Sequence, residues 1–290
     1  MIKKLGIIIL ALFMLAGVTG CENKEKEEKD PLIKEVDEAI ADFLEIYAED
    51  YVNEETLDYY VISAISALEE SGYDVKLTDF ISKDDVKTYY ENEEYDSISK
   101  IFKALLNLKA FNVDNANVVS ELNKVTEVDI YSYSYGLIAL KNANINNQLR
   151  GDILSKINVI REEDYRDADY AGVSLMAVAN DNIAKEPLLT LINDSLTKDG
   201  INAWGSPSSS STANVILGLL SQGIDPRNEE YTTEGTNLIQ ALLKYEENGA
   251  FKNNIDQEID LMFATPQGFA ALVAFKMYYN NNKPFNLFLS

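Results

Sequence analysis

From Leu32 to the end of the chain, apolar and polar residues follow two kinds of helical pattern. The first kind places apolar residues three and four positions apart on one face, which is typical of an amphipathic surface helix. The second kind is rich in Ala, Leu and Gly on every face, which indicates a buried helix with close neighbours. No stretch sustains the alternation of apolar and polar residues that predicts a β-strand.

In the buried kind of helix, a small residue followed by Leu or Val recurs at regular intervals. The second residues of successive pairs lie 37, 35, 38, 41 and 53 positions apart. A period of this length predicts copies of one supersecondary unit packed side by side. The sequence therefore predicts an all-α fold of about six helical pairs in a single domain, residues 31–290. The small-residue pairs are Ala67-Leu68, Ala104-Leu105, Ala139-Leu140, Ala177-Val178, Gly218-Leu219 and Ala271-Leu272.

Turn signals separate these units. Gly-containing dipeptides such as Ser71-Gly72 and Asn248-Gly249 mark turns. Asp30-Pro31 suits the start of the first helix, and Glu234-Gly235 is interpreted as the start of the last amphipathic one. The amphipathic partner helices are predicted over residues 33–48, 118–125, 149–160, 188–196 and 237–245.

The first twenty residues have a different pattern. A basic head, Lys3 and Lys4, precedes an apolar run from Leu5 to Val18. This run is shorter than the roughly 20 apolar residues that a membrane-spanning helix needs. Its length suits the hydrophobic region of a secretory signal, so residues 1–20 are predicted to be a signal peptide.

The end of that run, Val18-Thr19-Gly20-Cys21, resembles a bacterial lipobox. The resemblance implies cleavage before Cys21 and attachment of a lipid to its thiol. Residues 21–30 are almost all charged after Cys21, which predicts a disordered tether. The chain is therefore expected on the extracytoplasmic face of a bacterial membrane, held there by the lipid on Cys21.

The amino-acid composition excludes several kinds of catalytic and metal-binding site. The chain has no histidine and only one cysteine, which excludes a Ser-His-Asp triad and the usual His/Cys ligand sets of zinc. No cofactor is expected. The whole chain holds 25 basic and 48 acidic residues, a net charge of −23. Without the signal, which contains Lys3 and Lys4 and no acid, the charge is −25. This balance excludes nucleic acid as a partner and disfavours direct contact with anionic lipids.

Several segments resemble the repeat of the prenyltransferase and squalene-cyclase superfamily. The likeness is carried by residues 209–219 with Gly223-Ile224-Asp225-Pro226, by residues 235–251, and by Ala264-Thr265-Pro266-Gln267 with residues 270–275. The resemblance implies an α/α toroid, in which inner helices surround a central cavity and outer helices wrap around them. Among its members, the chain is most similar in style to cobalamin carriers of the intrinsic-factor type.

The resemblance to the enzymes of that superfamily implies sets of catalytic residues. This chain lacks each set in part or entirely. A zinc prenyltransferase uses Asp, Cys and His. A class II cyclase uses an Asp-x-Asp-Asp acid, and the most similar string is Asp167-Ala168-Asp169-Tyr170, which ends in tyrosine. A cyclase-like activity that uses Asp167 and Asp169 stays open as an alternative.

Repeat geometry suggests that the starts of the inner helices share one rim, where a ligand would find hydroxyl and amide groups. The same side chains also suit helix caps. Three acids at the start of one helix favour capping, with a hard-cation site as the alternative. Trp204 and Phe251 are interpreted as packing wedges, with a ligand role for Trp204 as the alternative. The candidate ligand residues are Tyr133, Asp169, Tyr170, Trp204, Thr212, Thr265 and Gln267, and the candidate cation ligands are Asp164, Asp167 and Asp169.

The leading functional hypothesis is a non-catalytic, envelope-anchored lipoprotein that binds a small molecule, a peptide or an envelope glycan. The alternatives are a carboxylate-driven enzyme and a purely structural surface module. A polar-rimmed pocket in the middle of the fold favours binding, whereas an axis filled with leucine favours a scaffold.

Overall fold

The computed structural model of the chain describes residues 30–157, 159 and 167–289, and this part of the protein is mostly helical. The all-α class predicted from the sequence is confirmed. The helices are α1 (Pro31–Ile46), α2 (Ala48–Tyr51), α3 (Tyr59–Glu70), α4 (Lys83–Glu91), α5 (Ile98–Ala110), α6 (Ala116–Leu122), α7 (Tyr133–Asn142), α8 (Gln148–Lys156), α9 (Ala168–Ala177), α10 (Glu186–Asp194), α11 (Ser209–Ser221), α12 (Leu238–Leu243) and α13 (Ala264–Asn281).

Short antiparallel strands occur only in the C-terminal half of the described residues. The first three form one sheet in the order β1-β2-β3, and the other four form two hairpins, β4 with β5 and β6 with β7. Strands of two or three residues carry no periodic signal, so the sequence pattern does not predict them. They are β1 (Leu196–Thr197), β2 (Gly200–Asn202), β3 (Pro207–Ser208), β4 (Thr232–Thr233), β5 (Thr236–Asn237), β6 (Glu246–Glu247) and β7 (Ala250–Phe251).

Six helices, which we call the central helices, contact one another in sequence order. Helix α3 packs on α5, α5 on α7, α7 on α9, α9 on α11 and α11 on α13, and α13 packs back on α3. The flanking helices each pack against one of them: α4 and α6 on α5, α8 on α7, α10 on α9, α12 on α11 and α1 on α13.

Burial separates the two kinds of helix as the sequence pattern predicts. In central helix α11, twelve of the 13 residues are buried. Flanking helix α10 buries only Leu188 and Ile192, which are four positions apart on one face. The apolar stripes of the flanking helices thus face the central helices, and their polar faces meet solvent.

The interpretation of Glu234-Gly235 as a helix start is wrong. Glu234 and Gly235 both have positive φ angles, 51° and 81°, and form the two-residue turn between β4 and β5. Such a turn requires left-handed backbone at both central positions. Helix α12 is instead capped by Asn237, which exchanges hydrogen bonds with Gln240 in a capping box.

Helices α9 and α11 approach each other through two glycines. A Cβ atom at Gly218 would lie 2.5 Å from the carbonyl oxygen of Gly172, and one at Gly172 would lie 2.5 Å from the carbonyl oxygen of Asn214. No real Cβ sits so close to backbone oxygen, so this contact requires glycine on both helices. The contact also fixes Asn214, because its own carbonyl is part of the interface.

Replacing Gly218 with alanine is expected to lower the free energy of unfolding by roughly 1–3 kcal/mol, because the new methyl group pushes α9 and α11 apart. Urea denaturation measures this change. Gly151 in flanking helix α8 is a matched control, since nothing lies within 4 Å of its Cβ position. There alanine is expected to stabilise the protein by about 0.5–1 kcal/mol through its helix propensity. Destabilisation of similar size at both sites would contradict this account of the interface.

Candidate functional site

A buried chain of hydrogen bonds joins three central helices. The Tyr60 hydroxyl on α3 donates to Asn214 Oδ1 on α11 over 2.8 Å. Asn214 Nδ2 then donates to Asp169 Oδ1 on α9, also over 2.8 Å. Tyr60 and Asn214 are buried, and Asp169 is partly exposed. Polar groups are costly inside a protein unless they are hydrogen-bonded, so this chain fixes the three side chains relative to one another.

Two further tyrosines complete what we call the tyrosine cluster: Tyr59, Tyr60, Tyr135, Asp169 and Asn214. The rings of Tyr59 and Tyr60 have centroids 4.5 Å apart. The hydroxyls of Tyr59 and Tyr135 lie close enough to interact electrostatically, and both side chains are partly exposed. The cluster thus brings two partly exposed tyrosine side chains together with a carboxylate and an amide.

The ionisation of the cluster follows from its burial. Burial, together with the negative charge of Asp169, raises the pKa of Tyr135 to about 12. Burial also holds the pKa of Tyr59 and Tyr60 well above the ordinary value for tyrosine. The pKa of Asp169 is raised by burial and lowered in part by the hydrogen bond from Asn214. At neutral pH the phenols therefore carry their protons and act as hydrogen-bond donors.

A second carboxylate adjoins the cluster at the start of α3. Asp58 Oδ1 accepts the backbone N–H groups of Tyr60 and Val61 at 2.9 and 3.0 Å, and so caps the helix. Burial raises the pKa of Asp58 to about 6, although the two N–H groups and Lys103 oppose the shift.

Asp58 and Tyr59 open onto a cleft of about 270 Å³ between α3, α4 and α5. Lys103 Nζ lies 5.6 Å from the centroid of the Tyr59 ring. The cleft combines three tyrosines with charges of both signs, which suits a ligand of moderate size with polar groups. Its lining consists of Glu55, Thr56, Leu57, Asp58, Tyr59, Tyr89, Tyr90, Glu93, Lys100 and Lys103.

An aromatic layer lies beneath the tyrosine cluster. The Phe102 ring on α5 contacts Tyr59 and Tyr135 at centroid distances of 5.2 and 5.0 Å. The buried Phe288 ring contacts Tyr59, Tyr60 and Phe102 at 5.7, 5.3 and 5.6 Å. Phe288 thus forms an apolar floor against the tyrosine rings.

The segment that carries Phe288 is tied to the C-terminal ends of three central helices. The backbone N–H of Phe285 donates to Leu220 O on α11 at 3.0 Å, and Asn286 Nδ2 donates to Met176 O on α9 at 2.8 Å. Asn142 Nδ2 on α7 donates to Phe288 O at 3.0 Å. Helices α7, α9 and α11 therefore end at the same side of the molecule.

Among the residues suggested by the sequence, Asp169 lies in the cluster, whereas Thr212 and Thr265 have structural partners. Both threonines are fully buried. Thr212 Oγ1 accepts the backbone N–H of Ile201 at 2.9 Å, and Thr265 Oγ1 accepts that of Phe251 at 2.9 Å. Their hydroxyls tie strands β2 and β7 to α11 and α13 at equivalent positions of two repeats.

Three other candidates lie outside the cluster. Tyr133 lines a separate groove of about 250 Å³ beside α8, with Lys156 Nζ 6.0 Å from its ring centroid. The Tyr170 hydroxyl donates to Ile157 O at 2.8 Å. Gln267 Oε1 is buried and has no hydrogen-bond partner among the described residues.

The interpretation of Trp204 and Phe251 as packing wedges is right for Phe251 and wrong for Trp204. Phe251 in β7 is 1% exposed, and its ring lies against Gly268, where a Cβ would approach it to 2.7 Å. Trp204 follows β2 in an irregular loop, next to Gly205 with a φ of 91°, and is 75% exposed. The strand holds one aromatic ring inward and the loop presents the other to solvent.

The proposed cation ligands have different surroundings. Asp167 Oδ1 accepts the backbone N–H of Tyr170 at 3.0 Å, so Asp167 caps α9 as the capping interpretation predicts. Burial raises the pKa of Asp167, against the effect of that N–H. Asp164 lies outside the described residues. Within the described ranges, no three acidic, histidine or cysteine side chains are grouped to hold a metal ion.

The signal peptide, Cys21 and all of the tether except Asp30 also lie outside the described residues. Over residues 30–157, 159 and 167–289, none of the helices has both the length and the apolar composition to cross a bilayer.

The sequence pattern does not reveal Asp58, Tyr59, Tyr60 or Asn214 as site residues. Asn214 carries the strongest overlooked signal, because it interrupts an otherwise small or apolar run, Ala213 to Leu217. A polar residue in such a helix needs a partner. That partner comes from helices 154 and 45 residues away, which periodicity does not reveal.

No protein-family model matches the chain, and no curated protein shows significant similarity to it.

Proposed function

We propose that the chain is a non-catalytic binding module on a lipid-anchored envelope protein, with the tyrosine cluster as its ligand site. The observation that carries this proposal is the hydrogen-bonded chain of Tyr60, Asn214 and Asp169. A purely structural module has no need of this polar network, because apolar side chains fill the space between helices at lower cost. Polar groups held in fixed positions beside partly exposed tyrosine side chains favour recognition of a ligand.

The proposed architecture around this site is an α/α toroid. Its support is the closed cycle of contacts from α3 through α13 and back to α3, with flanking helices packed behind the central ones. In such a ring the cluster would lie on the axis, since its members come from α3, α7, α9 and α11. Phe288 would close the axis from the side where these helices end.

The lipid anchor on Cys21 and the extracytoplasmic location are part of the same proposal. Their support is the lipobox-like sequence and the acidic composition, which gives the protein no attraction of its own for anionic lipid. Replacing Cys21 with serine should move the protein from the membrane fraction to the soluble fraction. Retention of the serine variant in membranes would contradict the anchor.

Ligand capture tests the site directly. Full-length protein is incubated with an extract of cell envelopes and examined by native mass spectrometry, which detects any added mass. We expect Tyr135→Phe to weaken the captured complex about 2- to 10-fold, because it removes one hydroxyl hydrogen bond worth about 0.5–1.5 kcal/mol. Tyr131→Phe is the matched control, since the Tyr131 side chain is 69% exposed.

An equal effect of both substitutions, or of neither, would contradict binding at the tyrosine cluster. Conversion of the captured compound to a product by the wild-type protein would replace the binding proposal with an enzymatic one.

A further inference from the structure

Five large apolar side chains are exposed on two neighbouring loops, and we call them the apolar rim patch. Single exposed apolar residues are normal on a protein surface, but a group of this size marks an interaction site. The members are Trp204, Ile255, Leu261, Met262 and Phe263, which are 75%, 49%, 47%, 73% and 58% exposed.

Hydrogen bonds hold the two loops together. Ser206 Oγ donates to Asn254 Oδ1 at 3.0 Å, which joins the loop after Trp204 to the loop that carries the other four residues. Asp260 Oδ1 accepts the backbone N–H groups of Met262 and Phe263 at 2.8 and 3.0 Å. The backbone therefore presents Met262 and Phe263 in a fixed geometry.

The surroundings of the patch are acidic. The loop over residues 253–263 contains three acids and no lysine or arginine. The Tyr51 hydroxyl donates to Leu261 O, which brings residues 47–58 alongside, and this segment has five acids and no basic residue. The acids are Asp256, Glu258 and Asp260 in the loop, and Glu49, Asp50, Glu54, Glu55 and Asp58 in the adjoining segment.

Basic residues in the adjoining hairpins do not cancel this charge, because acids outside the loop pair with them. Lys252 Nζ lies 3.0 Å from Glu247, Lys244 Nζ lies 2.9 Å from Asp199, and Lys198 Nζ lies 3.9 Å from Glu234.

We propose that the apolar rim patch docks a basic, amphipathic polypeptide segment of a partner protein. An apolar centre beside two acidic segments complements a polypeptide that has apolar residues on one face and lysine or arginine around them. The same charge argues against the other occupants. A second copy of this chain would bring like charges together, and anionic lipid would be repelled.

The probe is a dye-labelled, 18-residue amphipathic peptide of leucine and lysine. The control peptide has the same sequence with glutamate in place of lysine. The full-length protein is held in phosphatidylcholine nanodiscs, and fluorescence anisotropy at 150 mM salt reports binding above empty nanodiscs. We expect the lysine peptide to bind at least tenfold more tightly than the glutamate peptide.

Two variants test the patch itself. Met262→Asp with Phe263→Asp is expected to weaken binding of the lysine peptide at least tenfold, whereas Tyr279→Asp, at a partly exposed position near the end of α13, is expected to leave it unchanged. Asp256→Lys with Glu258→Lys tests the charge. Its matched control is Glu186→Lys with Asp194→Lys on α10, where both acids are exposed.

Equal losses in the two charge variants would overturn the proposal, because they would mean general attraction to an acidic protein. Loss of binding to phosphatidylglycerol vesicles in the Met262/Phe263 variant, with peptide binding retained, would also overturn it and would assign the patch to a lipid surface. Melting temperatures within one degree of the wild type would confirm that the exposed substitutions keep the fold.

Discussion

Replacing Phe288 with alanine is expected to lower the free energy of unfolding by about 3–5 kcal/mol, the usual cost of removing a buried phenylalanine ring. The Phe288 ring is 2% exposed and contacts Tyr59, Tyr60 and Phe102. Its removal leaves a cavity under the tyrosine cluster, and hydrogen bonds from Asn142 and Asn286 keep the segment from closing over it. Urea denaturation of the two proteins measures the difference.

Phe263→Ala is the matched control for that experiment. The Phe263 ring is 58% exposed, so the same substitution there should change the free energy of unfolding by no more than about 0.5 kcal/mol. A cost below about 1 kcal/mol at Phe288 would show that its segment does not support the cluster.

Replacing Asp58 with asparagine is expected to stabilise the protein by about 3 kcal/mol at pH 8 and to have little effect near pH 3.5. The folded-state pKa of Asp58 is about 6, compared with an ordinary value of 3.8. A carboxyl whose pKa is raised by folding holds its proton more tightly in the folded state. The protonated Asp58 carboxyl therefore adds to the free energy of unfolding below pH 4, and this contribution is lost as the pH rises through 6. A shift of about two units corresponds to about 3 kcal/mol.

Asparagine is chosen because it keeps the helix cap while removing the charge, since its side-chain oxygen can accept the N–H groups of Tyr60 and Val61. Urea denaturation at a series of pH values measures the difference between the two proteins. Asp58→Ala separates the cap from the charge, and it should be less stable than the asparagine variant by about 1 kcal/mol at every pH. An asparagine variant that is less stable than the wild type at pH 8 would show that Lys103 compensates the carboxylate fully.

Helices can be predicted from the sequence where the buried apolar residues recur at regular helical spacing. Flanking helix α10 was predicted over residues 188–196 and occupies Glu186–Asp194, because Leu188 and Ile192 mark one face. Helix α4 (Lys83–Glu91) was not predicted. It buries only Val86 and Tyr90 and is otherwise polar, so its pattern is too weak to stand out from a loop.

The sequence shows where glycines interrupt the helical pattern, but it does not show which structural role each glycine has. The small residue at Gly218 was expected to allow close helix packing, and the contact with Gly172 confirms this. By contrast, Glu234-Gly235 and Asn248-Gly249 both form two-residue hairpin turns with positive φ angles. Glycine after a polar residue suits a helix end, a loop or a hairpin equally well, and only the flanking strands decide between them.

The candidate site was predictable only in part, because its residues meet through tertiary packing. Asp169 belongs to the group of acids that the sequence singles out at the start of one helix. Thr212 and Thr265 are also polar, yet their hydroxyls hold hairpin strands in place. Whether a hydroxyl faces a ligand or a backbone N–H depends on the neighbouring repeat, which the local sequence does not encode.

A crystal structure of the protein purified from its own membranes tests most directly whether the tyrosine cluster holds a ligand. We predict electron density for a non-protein molecule within hydrogen-bonding distance of the hydroxyls of Tyr59 and Tyr135 and of Asp169 Oδ2. A crystal structure of that membrane-purified protein with no non-protein density beside Tyr59, Tyr135 and Asp169 would contradict this prediction.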